Sequence, residues 1–76
     1  MNQLRKDFIT GLEERVRDNY TPSIVARYAL EFYLDHDFTD SKLEYVINYL
    51  RGIDAGPQFE LSKKEVINFI KNKLTD

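Results

Sequence analysis

The sequence predicts an all-α fold: a compact four-helix domain with short connections, its second helix central and a longer loop before the fourth. Three observations lead there. Apolar residues recur at intervals of three and four in four separate stretches, the spacing that lines one side of a helix. Ser41-Lys42-Leu43-Glu44 and Ser62-Lys63-Lys64-Glu65 each open an apolar run with the Ser-x-x-Glu spacing of a capping box. No stretch alternates polar and apolar residues for long enough to form a strand. The two boxes belong to a longer echo, Phe38 to Leu50 against Phe59 to Ile70, aligned by one extra residue, Tyr45, in the first copy. The first two helices lack any such likeness. Convergence of two capped amphipathic helices is therefore a simpler account than duplication.

The first helix is expected from about Gln3 to Asp18. Leu4, Phe8, Leu12 and Val16 form its stripe, extended by Ile9 and Tyr20, while Lys6, Asp7, Glu13, Glu14 and Arg17 occupy the opposite face. Gly11 lies beside the stripe. Glycine costs about 1 kcal/mol in a helix interior, which is tolerable at a surface or useful where another helix comes close. Thr21 is the expected N-cap of the second helix, with Pro22 at the first helical position, where a missing N–H is no loss. That helix runs to about Asp35. Only Arg27, Glu31 and Asp35 interrupt its apolar circumference, and Arg27 and Glu31 are spaced to pair. A helix so apolar belongs in the middle, and any part its neighbours leave uncovered is an interface.

The third helix starts from Thr39, Asp40 or Ser41 as N-cap and carries Leu43, Val46, Ile47 and Leu50 inward, with Tyr45 and Tyr49 at the margin. Gly52 is its expected stop. Asp54-Ala55-Gly56-Pro57 is turn chemistry, and Phe59 and Leu61 are expected to fold back onto the core. Ser62 caps the fourth helix, Leu61 staples onto Val66, and the stripe Val66, Ile67, Phe69, Ile70 and Leu74 faces inward. Lys71 and Lys73 complement the C-terminal end of its dipole.

At 76 residues the chain is read as a single helical domain over 1–76. A chain of this length buries only about 60% of the surface it exposes when unfolded, so a partner or a second copy adds usefully to its core. Cysteine is absent, which removes disulfides and thiolate metal sites and suits a reducing, cytoplasmic setting. No apolar run approaches the ~20 residues of a membrane span, and Met1 to Asp7 has no apolar core of a secretory signal. The net charge of −2 is unevenly spread. Residues 31–44 carry Glu31, Asp35, Asp37, Asp40 and Glu44 against Lys42. Residues 61–74 carry Lys63, Lys64, Lys71 and Lys73 against Glu65.

Reactive constellations are sparse. Nucleophilic catalysis needs a nucleophile beside a base. His36 is the sole histidine, and Ser23, Ser41 and Ser62 all sit at helix starts, where capping explains them. Asp35-His36-Asp37 offers three adjacent metal ligands that point in different directions. Asp54 to Glu65 has the length of an EF-hand loop, but Gly56 and Gln58 stand where acidic ligands belong and Phe59 replaces the turn glycine. A helix-turn-helix reading fails on the acidic start of the third helix, which would repel phosphate.

No catalytic, cofactor or metal residues are therefore assigned. The expected function is a non-enzymatic protein–protein interaction module, a regulator or inhibitor, that binds another protein or a second copy of itself. Tyr33, Asp37, Asp40, Tyr45 and Tyr49 are its candidate contact residues, since tyrosine at a stripe margin suits an interface. The alternative is a small nucleic-acid-binding regulator using the basic faces of the first and fourth helices.

Overall fold

The computed structural model of the chain describes residues 3–74; Met1 and Asn2 of the N-terminal stretch lie outside them. Four helices follow one another: α1 Gln3–Arg15, α2 Pro22–Asp35, α3 Ser41–Leu50 and α4 Lys63–Leu74, with a single 3₁₀ turn at Pro57–Phe59. No strand occurs among the described residues. The radius of gyration, 11.4 Å, is what a fully collapsed chain of this length attains. The helices α2 and α3 make the most extensive contact, with α1 laid on α2 and α4 on α3.

The helix ends explain where each element starts and stops. Thr21 caps α2, its hydroxyl accepting from the Ile24 N–H at 3.2 Å, and Pro22 occupies the first turn. At the other end His36 stacks on Phe32 with ring centroids 4.0 Å apart, and its Nδ1 lies 3.0 Å from the Phe32 carbonyl oxygen. One of the orphan carbonyls that end every helix is thus met by a ring nitrogen. The Ser62/Glu65 box forms in full: Glu65 N–H donates to Ser62 Oγ at 3.1 Å, and Ser62 N–H donates to Glu65 Oε1 at 2.8 Å.

The first half of the echo behaves differently. Asp40 is the N-cap of α3, its Oδ1 accepting from both Lys42 N–H and Leu43 N–H at 3.2 Å, and Ser41 is already the first helical residue. A carboxylate two to three residues before the first free N–H groups satisfies them directly, so the Ser41-x-x-Glu44 spacing is not used as a box.

Other expectations need correcting. α1 ends at Arg15 and not Asp18: Val16 N–H still reaches Leu12 O, but Arg17 N–H bonds Glu14 O, a tightened last turn. Among the described residues no glycine has a positive φ, so Gly52 does not end α3 through a left-handed turn. Instead the chain leaves through i→i+3 bonds, Gly52 to Tyr49, Ile53 to Leu50 and Ala55 to Gly52. This tight exit turns Ile53, 2% exposed, into the core. Phe59, expected as a plug, is 52% exposed. Glu31, expected to pair with Arg27 along its own helix, forms a salt bridge between helices, to Arg15 of α1 at 3.4 Å.

One apolar cluster holds the four helices together. Phe8 and Leu12 of α1, Val25, Ala29 and Phe32 of α2, Leu43, Val46, Ile47 and Leu50 of α3, and Val66, Ile70 and Leu74 of α4 are all buried in it. Phe8 and Phe32 meet edge-to-face at 5.1 Å, a favoured aromatic geometry. Gly11 is the close-approach glycine. A Cβ there would overlap the Tyr28 hydroxyl, which donates to the Phe8 carbonyl at 2.9 Å.

Arg5 is the one buried charged residue among the described residues, 7% exposed. Its spacing from Phe8, Leu12 and Val16 places it on the core stripe of α1, where Leu4 is only half-buried. Its Nε and Nη2 donate to the two carboxylate oxygens of Asp40 at 2.5 and 2.9 Å, and its Nη1 donates to the Leu74 carbonyl at 3.0 Å. Asp40, a candidate contact residue on sequence grounds, is thereby committed inside the molecule.

Two consequences are measurable by denaturant unfolding. Asp40→Ala removes both the partner of a buried guanidinium and a cap, and should cost about 3–5 kcal/mol. Asp40→Asn keeps the cap and should recover about 1 kcal/mol of that loss; equal losses would mean the cap contributes nothing. Gly11→Ala should destabilise by about 1–3 kcal/mol through overpacking, although alanine is the better helix former. In a Tyr28→Phe background, where the overlapping hydroxyl is gone, the penalty should shrink.

Candidate interaction surface

Tyr45 and Tyr49 lie one turn apart on α3, so their side chains emerge on one strip. They are 54% and 45% exposed. Phe69 of α4, half-buried, bridges them, with centroids 4.7 Å from Tyr49 and 6.5 Å from Tyr45. Lys73 Nζ lies 5.8 Å from the Tyr45 centroid, a cation–π distance. Beyond Tyr49, the exit from α3 and the 3₁₀ turn form an open apolar hollow of about 320 Å³, lined by Tyr49, Gly52, Ile53, Ala55 and Phe59. The result is a continuous aromatic face, basic at the Tyr45 end, running along the α3–α4 seam.

A larger hollow, about 480 Å³, lies on the other flank of α3 among Ser23, Ala26, Arg27, Leu30, Arg51 and Asp54. Its lining mixes charges of both signs with apolar groups and holds no aromatic anchor. Size alone does not make a recognition site; buried aromatic anchors dominate interface energetics, which favours the smaller aromatic face.

The sequence-predicted contact residues divide accordingly. Tyr45 and Tyr49 come together. Tyr33 is half-buried on the opposite flank, stacked on Phe38 at 5.8 Å with the Arg51 guanidinium 4.9 Å from its ring centroid. Asp37 is exposed in the α2–α3 joint, and Asp40 is taken by Arg5. Phe59 and Phe69 join the face although sequence reasoning assigned them to the core. For Phe59 a signal was present, since it follows Gly56-Pro57 outside any helical stripe.

Several other ionisable groups have structural roles. Among the described residues no three His, Asp or Glu side chains converge as a metal site. Glu65, which would end a calcium loop, caps α4. Two tyrosines are perturbed. Burial pushes Tyr28 from 10.0 up to about 12, with Arg15 pulling it down and Asp7 and Glu14 pushing it up. Tyr20, whose hydroxyl donates to the Leu61 carbonyl, is raised by burial and by Glu65 and Glu60. Both phenols are hydrogen-bond struts that hold their protons, the reverse of what a catalytic base or nucleophile requires.

No protein-family model matches the chain, and comparison with curated proteins and with solved structures returns no match. Among the described residues no helix is long and apolar enough to cross a membrane.

The Tyr28 shift sets a pH dependence. A phenol with a raised folded-state pKa favours the native state fully below its unfolded value, near 10, and loses that contribution as pH rises toward 12. The stability difference between wild type and Tyr28→Phe should therefore narrow across that window. A difference that stays constant in parallel denaturant titrations would contradict the shift.

Proposed function

We propose that the chain is a non-enzymatic protein–protein interaction module, a regulator or inhibitor acting in the cytoplasm, and that it binds through the α3–α4 aromatic face. The observation that carries this reading is the cluster of Tyr45, Tyr49 and Phe59, each about half exposed, gathered around Phe69 and an apolar hollow. Tyrosine and phenylalanine in that arrangement offer large, rigid contact area with few rotatable bonds, the composition of a hot spot. The ionisable groups described above serve caps, struts and ion pairs, which leaves them ill suited to chemistry. Two of the cations that a nucleic-acid surface on α1 would draw on, Arg5 and Arg15, are matched by Asp40 and Glu31, which favours a protein partner over a phosphate backbone.

The test is comparative affinity capture with mass spectrometry, using wild type and Tyr45→Ser/Tyr49→Ser. The doubly substituted protein should keep its helical circular dichroism and lose at least about tenfold in affinity for any partner the wild type retains. Identical partner sets at identical affinity would refute the assignment of the face.

A further inference from the structure

We propose that the hollow between α2 and the exit of α3 receives the carboxyl-terminal residue of a partner chain. Its carboxylate lies on Arg27 and Arg51, its apolar side chain on Ala26 and Leu30, and its amide N–H donates to Asp54. The inference goes beyond the aromatic face and stands whether or not that face binds a protein.

The hollow measures about 480 Å³ and is lined by Ser23, Ala26, Arg27, Leu30, Arg51 and Asp54, a size suited to a small ligand or a residue or two of chain. Ser23, Arg27 and Leu30 stand four and three residues apart, so they share one side of α2. Arg51 follows the last residue of α3, and Asp54 lies in the tight turns beyond it. Buried Ala26 and part-exposed Leu30 supply the apolar wall.

Two guanidinium groups line this space against one carboxylate, and they are not spent on one another. Among the described residues the side chains of Arg27 and Asp54 make no hydrogen bond or ion pair. Glu31, four residues after Arg27, is bonded to Arg15 instead. Arg51 is held in place without being neutralised. Its Nη1 donates to Asn48 Oδ1 at 3.1 Å, and its guanidinium lies 4.9 Å from the Tyr33 ring centroid. Most of its N–H donors are left for a ligand. Holding a long side chain in position beforehand lowers the ordering cost of binding.

The lining selects the ligand. Forked guanidinium donors suit a carboxylate or a phosphate. A phosphate monoester carries a charge of about −1.5 to −2, which sets it against Asp54. A carboxylate carries one negative charge, so two arginines can serve it and Asp54 together. The last residue of a chain brings a carboxylate, a side chain and an amide N–H on one α-carbon. It can therefore meet the arginines, the apolar wall and the Asp54 acceptor inside one hollow. An Asp or Glu side chain holds its carboxylate away from its own amide and brings no apolar group. Capture of a terminal carboxylate by fixed donors is a recurrent mode of peptide recognition.

Titration of the isotope-labelled full chain with N-acetyl-alanyl-leucine, followed by the NMR amide signals of Ser23, Arg27, Gly52 and Asp54, tests this. The expected result is a saturable shift confined to the hollow that weakens with added salt. The same dipeptide as its amide, and inorganic phosphate, should each bind at least about tenfold more weakly. Arg27→Gln and Arg51→Gln should each weaken binding by at least about the same factor, with circular dichroism unchanged. Arg51 also packs on Tyr33, so if Arg51→Gln unfolds, the exposed Arg27 decides the matter. The proposal is overturned if no saturable shift appears by about 10 mM, if the amide binds as well as the acid, or if Arg27→Gln binds like the wild type. Tighter binding of phosphate, or of N-acetyl-glutamic acid α-amide, whose carboxylate is on a side chain, would overturn it too.

Discussion

The Arg5 guanidinium is the constraint on which the arrangement of the helices depends. A buried cation is tolerable only when its donors are met, and here they are met from two other elements at once. Asp40 supplies both carboxylate oxygens from the start of α3, and the Leu74 carbonyl accepts at the end of α4. The charges also suit the ends they touch: a carboxylate where the α3 dipole is positive, a guanidinium where the α4 dipole is negative. Apolar packing can slide by a methyl group at modest cost. A forked, charged contact cannot, so this clasp fixes the register of α1 against the ends of α3 and α4. It also removes Asp40 from the solvent-facing charge of the α2–α3 joint.

The exposed apolar surface follows from the shortage of chain. Four helices of ten to fourteen residues surround one cluster. The second helix has more apolar circumference than α1 and α3 can cover, and Leu30 and Leu34 are the remainder. The tight exit from α3 delivers Ile53 to the core, and with that space filled Phe59 lies outside beside Tyr49. Residues that lost the competition for the interior thus collect on two flanks. Large apolar groups gathered in this way mark recognition surfaces more often than scattered single ones do.

Inside the core the polar requirements are met locally. Tyr28 reaches over Gly11 to the Phe8 carbonyl, and Tyr20 ties the loop before α4 to the joint before α2 through Leu61. Each strut fastens an irregular segment or a close helix crossing to a neighbour. They keep a small core specific where its apolar area alone would allow sliding.

Much of this was legible in the sequence. The stripes, Thr21-Pro22 and the Ser62/Glu65 box set the number of helices, most of their boundaries and their inward residues, because caps and periodicity act over one or two turns. Tyr45 and Tyr49 were readable as a pair because four residues on a helix always share a side. Interactions between distant segments were not. The residues before α3 offered Thr39, Asp40 and Ser41 as caps without choosing among them; the cap is Asp40, whose carboxylate also meets Arg5 thirty-five residues away. Likewise, whether Ile53 or Phe59 enters the core depends on how α3 unwinds against α4. The sequence by itself determined the helices, since hydrogen bonding within a helix is short-range; only the tertiary structure decided which charges pair and which aromatic rings stay outside, since those outcomes depend on the space left once all four helices have packed.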